Sequence, residues 1–171
     1  MQGGTGRDEV VLFHAVPRGA AHTEKHSRMN DLSHVKQGNP RFVWPVRVYY
    51  EDTDSAGVVY YANYLRYFER ARTEWLRSLG FEQTDLLARH HIVFVVRSIT
   101  VEYLQPARFN DELQITLELG APGASQIRFE QRVLRGADVL CEAQVRVACV
   151  NQRNARPIRI PQEISTRIRT T

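Results

Sequence analysis

One stripe of apolar side chains constrains this chain more than anything else in it. Tyr64, Phe68, Ala71, Trp75 and Leu79 recur at intervals of four, three, four and four, the spacing that lines one face of an α-helix. Leu65 and Leu76 widen the stripe, Asn63 is a good N-cap ahead of it, and Gly80 supplies a C-terminal stop. Such a helix must bury that face, and Arg66, Arg70 and Arg77 are expected to look outward. The chain beyond the helix reads as strand. Leu113, Ile115, Leu117 and Leu119 alternate with polar residues, as do Ile127, Phe129 and Val133, and then Cys141, Ala143, Val145, Val147 and Cys149. Ile92 to Leu104 is apolar on both faces at its start, which predicts a central strand. The separators Pro106 to Asp111, Gly120 to Ala124 and Gly136 to Asp138 are turn signals, and Asp85 to Arg89 suggests a helical turn.

Ahead of the helix, Trp44 to Tyr50 is a short strand pattern whose Pro45 is tolerated only near an edge. Strand, helix and four antiparallel strands predict an α+β domain, with about five strands wrapped around one long helix. The domain is expected over residues 42–151. Residues 1–41 show no sustained period and are expected to be a flexible extension, and 152–171 a basic tail.

With 43% hydrophobic and 25% charged residues in 171, the chain can fold as an ordinary globular domain. No stretch approaches the ~20 apolar residues that span a bilayer, and the first 30 residues lack a signal-peptide pattern, so the expected compartment is the cytoplasm. The net charge of +4 sits in the ends. Six Lys or Arg face four acids in 1–41 and five face one in 152–171, leaving the middle with 12 basic and 14 acidic of the chain's 23 and 19. A fold without a basic stripe argues against nucleic acid. The tail arginines Arg153, Arg156, Arg159, Arg167 and Arg169 suit weak contact with an anionic membrane surface, peripheral at the inner membrane. Cys141 and Cys149 lie eight residues apart in one strand pattern, roughly 26 Å when extended, so they are expected as reduced, buried thiols. His14, His22, His26 and His34 have no carboxylate or cysteine to complete a metal site, and neither metal nor other cofactor is expected.

The sharpest local feature is the acid cluster Glu51, Asp52 and Asp54 between a strand and a helix start. Mutual repulsion of carboxylates is costly unless water, cations or donors absorb it, which suggests a use; a solvated loop with Asx turns is the simpler account. An apolar strand followed by Asp52, Thr53 and Asp54 also resembles the first motif of haloacid-dehalogenase-type phosphatases. That chemistry needs a later lysine and a parallel sheet, yet the only lysines, Lys25 and Lys36, lie upstream and the later strands read as a meander.

A wider window says more. YYEDTDSAGVVYYANYLRYFERARTEWL, then FVVRSITVEYLQPAR and the last strand, resembles the hotdog-fold thioesterases of the 4-hydroxybenzoyl-CoA thioesterase type, in particular their bacterial Tol-Pal-associated acyl-CoA thioesterase subfamily. The resemblance covers roughly residues 42–151. It implies a hotdog fold, dimers made by sheet extension or dimers of dimers (a homotetramer), and acyl-CoA sites at the subunit interface. It also implies that Asp54, just before Ser55, Ala56 and Gly57, is the catalytic carboxylate. The amide that polarises the thioester carbonyl falls at Tyr61, where members of that subfamily often carry histidine. Because the backbone N–H acts, tyrosine there changes the pocket lining and not the chemistry.

The residue types suit these roles. A thioester carbonyl gains negative charge as it is attacked, and a helix start offers unpaired N–H groups and a positive dipole end. Asp54 could attack the acyl carbon or take a proton from water. Gly57 would let backbone approach the substrate, or simply make a turn. Tyr60, Tyr61 and Tyr64 could line an acyl pocket, Asn63 could position Asp54, and Arg97, Arg128 and Arg132 are candidates for CoA phosphates. Glu69 could orient water or pair with Arg66 or Thr73, while His90 and His91 read as loop residues. A hotdog domain that binds acyl-CoA or acyl carrier protein without turnover is the competing account.

Overall fold

The structure, a computed structural model, describes residues 42–121 and 123–170. The expected flexible extension, with its four histidines, lies outside the described residues. Six strands and three helices run in order: β1 (Phe42–Arg47), α1 (Tyr61–Ser78), α2 (Gln83–His90), β2 (Ile92–Tyr103), β3 (Glu112–Leu119), β4 (Gln126–Arg135), β5 (Asp138–Asn151), β6 (Arg156–Pro157) and α3 (Gln162–Thr170). A short 3₁₀ turn covers Tyr50–Asp52.

The sheet is antiparallel and runs β1-β3-β4-β5-β2, with β6 beside the end of β5. Its inner face is the alternate set read from the sequence: Leu113, Ile115, Leu117, Ile127, Phe129, Val133, Val145 and Val147 are all buried. Against it lies α1, whose Tyr64, Phe68, Ala71, Trp75 and Leu79 are buried together with Tyr67. Arg66, Arg70 and Arg77 are exposed as the helical period requires. Pro45 sits in edge strand β1, opposite Gln114. Gly80, at φ +89°, takes the left-handed conformation that ends the helix. Both cysteines are free and buried on β5.

Three expectations change. Among the described residues Ile92–Tyr103 is an edge strand, paired only with β5, and Val95, Val96 and Ile99 remain partly exposed. Hydrophobicity on both faces reports that both faces want cover; it does not say that the same chain supplies it.

Asn63 is not the cap, because α1 begins two residues earlier at Tyr61 and Tyr60 flanks it in extended geometry. The Asn63 amide instead donates from inside the first turn to the Asp52 carbonyl, 2.9 Å away.

The basic segment after residue 151 is folded as well. Ile160, Ile164 and Ile168, spaced by four, are buried in the core cluster, and the arginines of the segment are exposed, Arg167 and Arg169 of them on α3. A charge count along the chain hides this period, since the apolar residues are few and the arginines lie between them.

Candidate active site

The acid cluster is split three ways by the backbone. After the 3₁₀ turn the chain forms a small hairpin: Tyr60 N–H donates to the Asp52 carbonyl, Thr53 bridges to Val59, and Asp54 N–H donates to the Val58 carbonyl. Glu51 is exposed. Asp52 is buried at the hairpin base, where its carboxylate accepts the Tyr49 N–H at 2.9 Å. Asp54 stands exposed at the tip, and one of its oxygens accepts the Ala56 N–H at 2.8 Å in an Asx turn. The second oxygen has no partner among the described residues.

Gly57 closes this tip. Its N–H donates to the Asp54 carbonyl at 3.0 Å, and its φ of +72° is a region glycine enters without the Cβ clash of other residues. The returning arm becomes α1 directly. Val58, hydrogen-bonded to Asp54, is three residues before Tyr61, so at most ~11 Å of chain separates them. Tyr61 is the first helical residue, where no carbonyl exists a turn back to take its N–H, and the positive end of the helix dipole adds to that donor. Asn63 and Asp52 hold the helix start by the bond already described. The Asp52 carboxylate also lies beside the buried Tyr67 hydroxyl; burial first, then that charge, pushes Tyr67 well above the usual tyrosine range.

The other candidates separate. Tyr60 and Tyr61 are exposed with ring centroids 4.6 Å apart. Tyr64 is core: its hydroxyl accepts the Ala107 N–H at 2.9 Å. Tyr103, at the end of β2, donates its hydroxyl to the Tyr61 carbonyl and so ties the exposed edge to the helix start. Arg97 is exposed at the point where the β2–β5 register shifts, a bulge between Val96 and Ser98. Arg132 is paired with Glu142 at 3.0 Å, while Arg128 is exposed. Glu69 accepts the Thr73 hydroxyl at 2.7 Å, one of the two partners expected from helical spacing. His90 ends α2 and His91 caps it at φ 53°. Among the described residues no three His, Cys, Asp or Glu side chains converge to hold a metal ion, and no helix is long and apolar enough to cross a membrane.

Sequence reasoning missed a cavity between α1 and the sheet, about 500 Å³ counting its open mouth. Trp75, Phe94, Phe129 and Val147 line it, with Arg72 and Glu69 among its polar residues. Trp75, Phe129 and Val147 are legible one at a time, as members of the helix stripe and the strand alternation. Their convergence on a hollow is not, because it depends on how the sheet curls away from the helix.

One long helix lying in a curled antiparallel sheet is the hotdog fold, and the protein is of the thioesterase class built on it. The comparisons with known proteins agree. A family model for the thioesterase-like superfamily matches residues 48–168, and the chain belongs to that superfamily. It is similar to the acyl-CoA thioesterase YbgC of Haemophilus influenzae, 46% identical over 123 residues, covering 72% of this chain and 90% of that one. The acyl-CoA thioester hydrolase YbgC of Escherichia coli is 47% identical over 124 residues, covering 72% and 92%. Among solved structures, a probable thioesterase from Bartonella henselae superposes with a TM-score of 0.67 at 36% identity, over 70% of this chain and 98% of that one.

Proposed function

We propose that this protein hydrolyses acyl-CoA to a free carboxylic acid and CoA, with Asp54 acting on a thioester whose carbonyl oxygen accepts the Tyr61 N–H. The observation that carries the reading is the hairpin tip of residues 54–57, which leads an open carboxylate and a helix-start amide out of the same short turn. The YbgC relatives, named for acyl-CoA hydrolysis, support the substrate class.

Two routes are balanced. In one, an Asp54 oxygen attacks the acyl carbon, the C–S bond breaks, the thiolate leaves as CoA, and water hydrolyses the mixed anhydride. In the other, Asp54 takes a proton from water as that water attacks. In both, negative charge gathers on the carbonyl oxygen, where a preorganised amide at a positive dipole end stabilises it more in the transition state than in the ground state.

Asp54→Asn should lower turnover by roughly 10² to 10⁴, the range for losing an acid or base group, with an unchanged melting temperature. Wild-type thiol release by that variant across a panel of acyl-CoAs would remove Asp54 from the mechanism. A single turnover in ¹⁸O water tests the first route: label in Asp54 means that an anhydride formed and was opened at its aspartyl carbon.

The site is completed in a dimer. The unpaired β2 edge carries Val95, Val96 and Ile99 beside Tyr103, which touches the helix start, so a second copy adding its own strand there would cover apolar surface next to the site. Dimers of dimers, Arg97 as a CoA-phosphate contact, and peripheral membrane contact through the exposed arginines after residue 151 belong to the same reading. So does acyl carrier protein as an alternative carrier. A pure binder of acyl-CoA would show saturable binding and no thiol release with any thioester.

A further inference from the structure

The inner face of β2 stands half open along α1. Phe94, Val96, Ile99, Val101 and Tyr103 lie opposite Cys149, Val147, Val145, Ala143 and Cys141 of β5, and residues directly opposite in an antiparallel pair share a face. Those β5 side chains are buried, yet Val96 is 46% exposed, Ile99 37% and Tyr103 45%. Beside this face runs one row of α1, Tyr61, Leu65, Glu69 and Thr73, four residues apart and so stacked along one side of the helix. Row and strand meet at both ends. The Tyr103 hydroxyl donates to the Tyr61 carbonyl at 3.1 Å, and Glu69 and Thr73 line the cavity together with Phe94 and Val96. The apolar face of β2 thus makes a trough that leads from the proposed oxyanion donor to the cavity, and a second copy's strand on the β2 edge would wall its open side.

The polar side chains of the cavity are engaged with one another. The Gln83 amide donates to the Thr73 hydroxyl at 2.8 Å, Thr73 donates to Glu69 at 2.7 Å, and Arg72 donates to the Gln131 side-chain oxygen at 2.7 Å. Burial pulls the Arg72 pKa down to about 10, and the Glu69 charge opposes that fall. The remaining wall is hydrocarbon, with Val96, Phe129 and Val147 in it, and suits an uncharged apolar occupant. Glu69 and Thr73 lie eight and twelve residues beyond Tyr61, ~12 and ~18 Å along the helix axis. An extended acyl chain advances ~1.25 Å per carbon, so ~10 carbons reach the cavity and ~14 enter it. We propose that trough and cavity together hold the tail of a long-chain acyl group, so that plain chains of about fourteen carbons are preferred over those of about eight or fewer. The inference rests on the thioesterase reading and adds the chemistry and length of the substrate's tail to it.

The test uses the full chain with hexanoyl-, octanoyl-, decanoyl-, dodecanoyl- and tetradecanoyl-CoA below their micelle concentrations, and with octanoate and tetradecanoate as free acids. From decanoyl to tetradecanoyl, kcat/KM should rise about two- to fourfold per added CH₂, the scale for burying a methylene. Calorimetry should find tetradecanoate bound at least about tenfold tighter than octanoate. Val96→Trp, which puts bulk at a half-open position of the cavity wall, should bring the tetradecanoyl-to-octanoyl ratio of kcat/KM toward one. A wild-type kcat/KM that is flat or falls beyond octanoyl-CoA overturns the inference and leaves the thioesterase reading standing, whether or not the variant folds. An unchanged ratio in a folded Val96→Trp protein overturns it too, because the tail then lies elsewhere. Tighter binding of tetradecanoate with no thiol release from any thioester would instead sink the thioesterase reading and keep the cavity's assignment.

Discussion

At the scale of single residues, three neighbouring acids turn out to have three environments. Glu51, Asp52 and Asp54 read alike in the sequence, yet one is solvated, one is buried at the base of a hairpin and one is exposed at its tip. The division comes from backbone hydrogen bonds between residues 52–54 and 58–60, which no composition argument supplies. Gly57 was legible because a glycine after a polar run announces a turn, and its positive φ makes the choice specific. Gly57→Ala should cost about 1–2 kcal/mol, the penalty of a left-handed alanine, and should slow turnover by displacing Asp54; denaturation and kcat together check it. The cysteines were legible too, as apolar positions on a strand. Burial pushes the Cys141 thiol up to about 12 and the Cys149 thiol up to about 11, from an ordinary 9.0. Between pH 9 and pH 11 the unfolded chain therefore releases protons that the folded chain keeps. Stability should fall as pH rises through that window, and Tyr64 and Tyr67, also raised by burial, act in the same direction. Denaturant midpoints across the window check it, and replacing both cysteines by alanine should flatten the slope.

At the scale of elements, the period decided which readings survived. The α1 stripe and the alternation of β3, β4 and β5 gave the right faces because each repeats often enough to outweigh single residues. The helix start was two residues off, since Asn63 is a better cap by type than Tyr60, and the hairpin ahead of α1 stands in for a capping side chain. Helix α3 escaped notice because its two isoleucines, Ile164 and Ile168, with Ile160 just ahead of it, are a short signal in a segment of five arginines. Ile164 is fully buried, and Ile164→Ala should cost about 2–5 kcal/mol, the range for emptying a core position. A solvated tail would tolerate that change with no shift in the denaturation midpoint.

At the scale of the whole molecule, the edge at β2 is an unpaired surface among the described residues. Its apolar side chains made it look central, and pairing with a second copy is what would make that reading physically true. Val95→Lys should shift the protein toward monomer in light scattering. If the site spans the seam, the change should also lower turnover, because a charge on a flat strand edge opposes strand addition; an unchanged assembly would move the dimer interface elsewhere. Local periodicity determined the number of layers, the buried faces of α1, β3, β4 and β5 and the turn that carries Asp54, since these depend on neighbours a few residues apart in the chain. Tertiary structure alone decided the strand order, the burial of Asp52 against the exposure of Asp54, and the cavity between α1 and the sheet. Those features arise where segments tens of residues apart meet, and the energy of such a contact depends on geometry that no single segment contains.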